Sequence, residues 1–197
     1  YNQSVNPPVV RASTILFKSL NDIRKTQKKH LKDPIGGHFD YGRQGTSTTH
    51  ALSKILTKLE ESYHVFLTPT GFGSVFLAMF SVVRPGDEIL VSDPVYSPTR
   101  ILTQDFFKDF NIKAIFYNPK DLSTLKKNIT KKTKLIFVEN PGSNTFEFQD
   151  LSKIISIAKK NKIFTALDNT WGTPYFLKPI KLGFDMAIVS ATKYYSG

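Results

Sequence analysis

The sequence has no cysteine among its 197 residues. Disulfides and thiolate metal sites are therefore excluded, and a reducing, cytoplasmic setting is the expectation. Long apolar runs are missing too. "VFLAMFSVV", Val75 to Val83, is bounded by Gly73 and Arg84 and is too short to cross a bilayer. No secretory n-region or h-region opens the chain as given, and the first residue is Tyr1 and not Met, so upstream sequence is expected. Acidic residues are few, 16 against 27 lysines and arginines, for a net charge of +11. Such an excess raises nucleic acid as a partner. The basic residues are spread, however, over Lys28-Lys29, Lys126-Lys127, Lys131-Lys132, Lys159-Lys160 and Lys162, without an Arg-rich tract or zinc-finger spacing. Solvated faces of amphipathic helices account for them, so neither nucleic acid nor membrane is expected as a partner. His30, His38, His50 and His64 show no metal-ligand spacing, and Glu60-Glu61 reads as a solvated helix end.

What is present is an alternation of two periodicities. The first 40 residues read as irregular, with Pro7-Pro8 and a basic stretch, followed by "YGRQGTSTT". Ala51, Leu52, Ile55, Leu56 and Leu59 then fall at helical spacing over 48–61. Strands are expected at "HVFLT" (64–68), "EILVS" (88–92), "KAIFY" (113–117), "KLIFVE" (134–139), "IFTALD" (163–168) and "MAIVS" (186–190). Between them come helices over about 74–83, 97–110 (capped by Ser97 with Pro98 at its first position), 122–129 and 150–160. The fold class is α/β: a mostly parallel sheet with helices on both faces. In such sheets ligands bind beyond the carboxyl ends of the strands.

The strand exits carry the chemistry. "TPTGFGS" puts the amides of Gly71 and Phe72 at a helix start, where an anion is favoured, although a glycine there is often only turn geometry. "SDPVYSPT" brings Tyr96 to an exit, either as packing or as a face for a planar ligand. "ENPGSNT" is a polar Pro-Gly loop. "LDNTWGTP" leaves Asp168 at the end of an apolar strand, as a turn cap or as a partner for a buried cation. "SATK" sets Lys193 after a buried strand beside Ser190 and Thr192, poised to lose solvent as a Schiff-base amine must. Together these exits suit a ligand with a phosphate, a planar ring, a basic ring nitrogen and an aldehyde. Pyridoxal 5′-phosphate (PLP) has all four.

"DNTWGTP", "SATKYYSG", "YGRQGTSTT", "ENPGSNT" and "NPPVVRASTILF" (Asn6 to Phe17) occur in consistent order along the chain. In them the sequence resembles the Cys/Met-metabolism, or transsulfuration, PLP enzymes. Within that family "YGRQGT" and "ENPGS" are most similar to the cystathionine β-lyase branch. The resemblance implies the large domain of an aspartate-aminotransferase-like fold. It implies that Lys193 bonds the cofactor aldehyde and moves the substrate α-proton, that Asp168 holds the pyridine nitrogen and that Tyr96 stacks on the ring. Gly71, Phe72, Ser190 and Thr192 would hold the phosphate. Tyr41 and Arg43 would reach the cofactor of a neighbouring subunit in a dimer or tetramer. The implied reaction is β-elimination on an amino-acid substrate, cystathionine, giving homocysteine, pyruvate and ammonia. The γ-synthase and γ-lyase activities, methionine γ-lyase, alanine racemisation and a non-catalytic remnant are the alternatives. Residues 1–47 are expected to form an arm reaching the neighbour, and 48–197 an incomplete cofactor domain without its C-terminal domain. Because no residue matches the family's carboxylate-gripping arginine, a fragment inactive alone is the expectation.

Overall fold

The computed structural model describes residues 5–195. The arm's first residues, the end of "SATKYYSG" and the limits of the 48–197 domain therefore lie partly outside the described residues. By internal packing the chain forms two units, Tyr1–Leu67 and Thr68–Gly197. The division falls after 47 because the following helix packs with the segment before it. Val10 N–H donates to Thr48 Oγ1 at 2.7 Å, Thr48 Oγ1 donates to the Pro8 carbonyl at 2.9 Å, and Phe39 meets His50 edge-on.

The first unit is not irregular throughout. Helix α1 spans Leu20–Lys32. Ser19 caps it, accepting from Asp22 N–H, while Asp22 in the first turn and Lys29, His30 and Lys32 in the last complement the helix dipole. None of its residues is buried, and Leu20, Ile23 and Leu31 are its few apolar side chains among many polar ones, a sparse stripe that is easily passed over in sequence. Helix α2 covers Ser47–Glu60, and Thr49 Oγ1 accepts the Thr46 N–H at 2.9 Å at its start. Glu60 is buried rather than solvated, whereas the left-handed Glu61 that ends the helix is exposed. "HVFLT" forms no strand: its residues pair with no strand among those described, and an apolar run without a ladder partner stays extended loop.

The second unit is a five-stranded sheet of order β2-β1-β3-β4-β5, all pairs parallel. The strands are β1 Glu88–Ser92, β2 Lys113–Tyr117, β3 Thr133–Glu139, β4 Phe164–Asp168 and β5 Met186–Ile188. Helix α3 (Gly71–Val82) precedes β1. Ser97 and Pro98 begin α4 (Ser97–Ile101); the residue before the helix is Tyr96, and Ser97 supplies no side-chain cap. A π-helical turn over Leu102–Phe106 joins α4 to α5 (Phe107–Asp109). The remaining helices are α6 Leu122–Lys127, α7 Leu151–Asn161, α8 Thr173–Phe176 and α9 Pro179–Leu182.

Strand alternation sorts the core into two layers. Ile89, Val91, Leu135, Phe137, Ala166 and Ile188 face α3 and the α4–α5 segment, meeting Val75, Met79, Leu102 and Phe107. Leu90, Ile136, Val138 and Leu167 face the other way, against Leu125 of α6 and Ile154, Ile155 and Ala158 of α7. With both faces covered, the central strands need no polar alternation, which is why they read as continuous apolar runs. The strand order reverses between β1 and β3, so the crevice at their carboxyl ends is the topological switch point. No helix among the described residues is long and apolar enough to cross a membrane.

Candidate active site

The carboxyl edge of the sheet gathers most of the residues singled out in sequence. Thr70 starts α3, its Oγ1 accepting the Gly73 N–H at 2.9 Å. The first-turn amides of Gly71 and Phe72 have no acceptor within the helix. A Cβ at Gly71 would lie 2.7 Å from Ser190 Oγ and 2.8 Å from Ser190 Cβ. Only glycine lets this helix start abut the exit of β5. Ser190 Oγ lies 3.1 Å from Thr192 Oγ1, so two hydroxyls stand beside those amides.

The β4 exit is bonded to the same loop. Thr170 N–H donates to Asp168 Oδ1 at 3.0 Å, and Ser190 N–H donates to Thr170 Oγ1 at 3.0 Å. Asp168 pairs in register with Ile188 on β5 and with Glu139 on β3. Burial pushes its carboxyl above the usual carboxylate range, opposed by the Thr170 hydrogen bonds. A carboxylate held that way is stabilised by an adjacent cation.

Lys193 N–H donates to the Ser190 carbonyl at 3.0 Å, which fixes the lysine within the same turn. Its side chain is exposed, contrary to the expected loss of solvent. The reason is local: β5 ends at Ile188, and the chain continues as an exposed turn over residues 191–195 instead of entering the core. Trp171 lies near this turn, its ring centroid 6.2 Å from Tyr194 and 5.1 Å from Phe146.

At the switch point Tyr96 N–H donates to Glu139 Oε2 at 2.6 Å, while the phenol ring is 48% exposed. An exposed ring beside the ligand crevice is free to offer its face. Tyr41 and Arg43 belong to the first unit, where the Arg43 guanidinium lies 5.3 Å from the centre of the Tyr41 ring. Glu139 and Thr170 were not singled out by sequence reasoning. Glu139 reads as the first letter of a polar loop, although its place at the end of a continuous apolar strand is the same signal that marked Asp168. Thr170 carries no signal beyond its motif. A separate cavity of about 250 Å³ lies at the amino ends of β4 and β5, lined by Ile155, Lys159, Lys162, Phe164 and Asp185, away from this cluster.

The model of the family described as Cys/Met metabolism PLP-dependent enzyme matches residues 1–197. The chain belongs to that family. The Cys/Met-metabolism relatives include a cystathionine beta-lyase of Bordetella avium, 34% identical over 194 residues, covering 98% of this chain and 48% of the relative. An L-alanine/L-glutamate racemase of Wolbachia pipientis wMel is 33% identical, covering 100% of this chain and 50% of that one. Among solved structures, the Campylobacter jejuni metY protein carries N′-pyridoxyl-lysine-5′-monophosphate. It superposes with a TM-score of 0.88 at 29% identity over 99% of this chain and 47% of its own. The chain thus spans about half the length of the curated relatives it matches.

The family's cofactor is PLP, and the cluster fits it. The cradle between Gly71 and Ser190 is closed to any Cβ, and amides and hydroxyls converge there without a carboxylate among them. The half-buried Asp168 and the amine of Lys193 are of the kinds that the ring nitrogen and the aldehyde of such a molecule would require.

Proposed function

We propose that this chain is the cofactor-binding part of a carbon–sulfur β-lyase that cleaves L-cystathionine to homocysteine, pyruvate and ammonia. The observation that carries the reading is the abutment of Gly71 on Ser190, at a sheet edge that also holds Asp168 and Lys193. The amides of Gly71 and Phe72, with the hydroxyls of Ser190 and Thr192, hold the phosphate. Asp168 takes the pyridine nitrogen in a charge-assisted bond, and Tyr96 lies on the ring. Tyr41 and Arg43, on an arm over 1–47, reach the phosphate in a neighbouring subunit of a dimer or tetramer, and 48–197 form the cofactor domain. The bound cofactor supplies an electron sink that acidifies the substrate α-carbon. Lys193, through Nζ, holds the cofactor between turnovers and as a free amine takes the α-proton. With that sink in place, transfer of the α-proton to Lys193 would let the Cβ–S bond break, the sulfur leaving as homocysteine and water releasing the remainder as pyruvate and ammonia.

Racemisation is the second reading, favoured by the similarity to the Wolbachia racemase. It uses the same lysine to move the α-proton without breaking a bond at Cβ.

The test is the visible absorption spectrum of the chain with added PLP, beside Lys193→Ala. A pH-stable band present in the wild type and lost in the variant is expected. A folded wild type without that band overturns the cofactor reading. In the full-length protein, pyruvate from cystathionine marks β-cleavage, 2-oxobutyrate marks γ-cleavage, and D-alanine from L-alanine marks racemisation.

A further inference from the structure

Glu139 is a buried carboxyl that the reading above leaves without a task. It is 5% exposed and sits opposite Asp168 in the parallel register of β3 and β4. Phe137 and Ala166, two positions before each, both belong to the layer that faces α3, so strand alternation turns the two carboxyls to the same face. Adjacent strands lie about 4.8 Å apart, which makes the carboxyls neighbours.

Glu139 is held at three points. Its N–H donates to Ser92 Oγ at 3.2 Å, its carbonyl accepts from Gln149 Nε2 at 3.0 Å, and its Oε2 accepts the Tyr96 N–H at 2.6 Å. Gln149 is fixed in turn: Tyr117 O–H donates to its Oε1 at 2.8 Å, and its own N–H donates to Asn140 Oδ1 at 2.8 Å. From β1 Glu139 thus meets a hydroxyl, from the start of α4 an amide, and from β4 the carboxyl of Asp168. No lysine or arginine acts on it among the described residues. Two carboxylates side by side in a low dielectric cannot both be ionised. Burial first, and the charge of Asp168 second, push Glu139 up to about 8 against the opposing Tyr96 N–H.

We propose that Glu139 is a positioning residue: it holds the single proton of a Glu139–Asp168 carboxyl pair and anchors the main chain of Tyr96, so that Asp168 is left as the anion that faces the pyridine nitrogen. The proposal rests on the cofactor reading above. Tyr96 and Asp168 come from strands on either side of β3, and Glu139 is the group that ties the ring-stacking residue to the ring-charging one. Glutamine is uncharged and can still accept the Tyr96 N–H, whereas alanine is uncharged and cannot accept it.

Two measurements on the full chain test this. The first is isotope-edited infrared spectroscopy without cofactor: at neutral pH a carboxylic-acid C=O stretch is expected in the wild type and is expected to vanish in Glu139→Gln. The second is the PLP dissociation constant. Glu139→Ala is expected to weaken binding by about tenfold or more because the part-buried Tyr96 N–H loses its acceptor, with the Glu139→Gln chain rescued most of the way. An ionised Glu139 at neutral pH, or an alanine variant binding as tightly as the wild type, overturns the proposal. A wild type that takes up no PLP but keeps the acid band overturns the cofactor reading, and with it the use assigned to the pair, while leaving the proton assignment standing. The two failures are thereby told apart.

Discussion

Gly71 is the residue on which the anion cradle depends. Alanine there would drive a Cβ to within 2.8 Å of two Ser190 atoms, and the helix start or the β5 exit must then move. Gly71→Ala is expected to fold, since α3 gains a better helix former, and to lose PLP retention by at least about tenfold. Equilibrium dialysis against PLP checks both arms, and an unchanged affinity would remove the cradle from the site. Glu139 gives a second prediction at this scale. Its carboxyl is raised from 4.5 to about 8 in the folded chain, so the folded state binds the extra proton between those values. Its contribution to stability is therefore fully present below about pH 4.5 and lost as pH rises toward 8, with a slope approaching ~1.4 kcal/mol per pH unit. The stability of Glu139→Gln relative to wild type should grow over that window and level off above it. Urea melts at several pH values give the comparison, and a flat difference would contradict the raised carboxyl.

At the scale of elements, β5 is the weakest part of the sheet that bears the site. Among the described residues it lies at an edge of the sheet, has three residues and pairs only with β4. Asp185 compensates: its Oδ2 accepts both the N–H and the hydroxyl of Thr165 at 2.8 Å, and Thr165 is buried. Asp185→Ala leaves that N–H unsatisfied, at a cost of about 1–3 kcal/mol. Thermal unfolding should register the loss, and hydrogen exchange should place it in β4 and β5.

The strands themselves were open to reading. "EILVS" and "KAIFY" are β1 and β2 residue for residue: the first is buried throughout, the second partly, and each is a short apolar run between turn residues. "HVFLT" carries the same letters without a ladder partner among the described residues, and composition cannot report a partner. Helix α1 was overlooked for the opposite reason. It buries nothing, and a sparse stripe of Leu20, Ile23 and Leu31, its Ser19–Asp22 cap and its basic last turn announce it. Of the site residues, those at strand exits were legible through position. Glu139 and Thr170 act through cross-strand register and side-chain bonding, which no single stretch of sequence displays.

Across the molecule, the groups assigned to the cofactor come from α3, the start of α4, β4 and the turn after β5. A ligand that bonds all of them stabilises only the folded arrangement. Saturation at a hundredfold excess over the dissociation constant would add about 2.7 kcal/mol. A rise in melting temperature with added PLP is expected in the wild type and a much smaller one in Lys193→Ala. Equal shifts in both would place the ligand elsewhere, and the excess of 11 positive charges makes a sulfate control necessary, since any anion gains from that field.

The bond from Ser190 N–H to Thr170 Oγ1 has a consequence for the order in which the protein comes into being. The helix start at Gly71 is synthesised long before the segment that closes on it, and parallel pairing between distant segments is slow to find. A nascent chain halted before Met186 would carry every strand up to β4 and still have no cradle. Competence to capture the cofactor then timestamps the arrival of β5 in the sheet. Ribosome-bound chains arrested at successive lengths should turn from blind to PLP-responsive abruptly as the β5 turn emerges, and not by gradual gains.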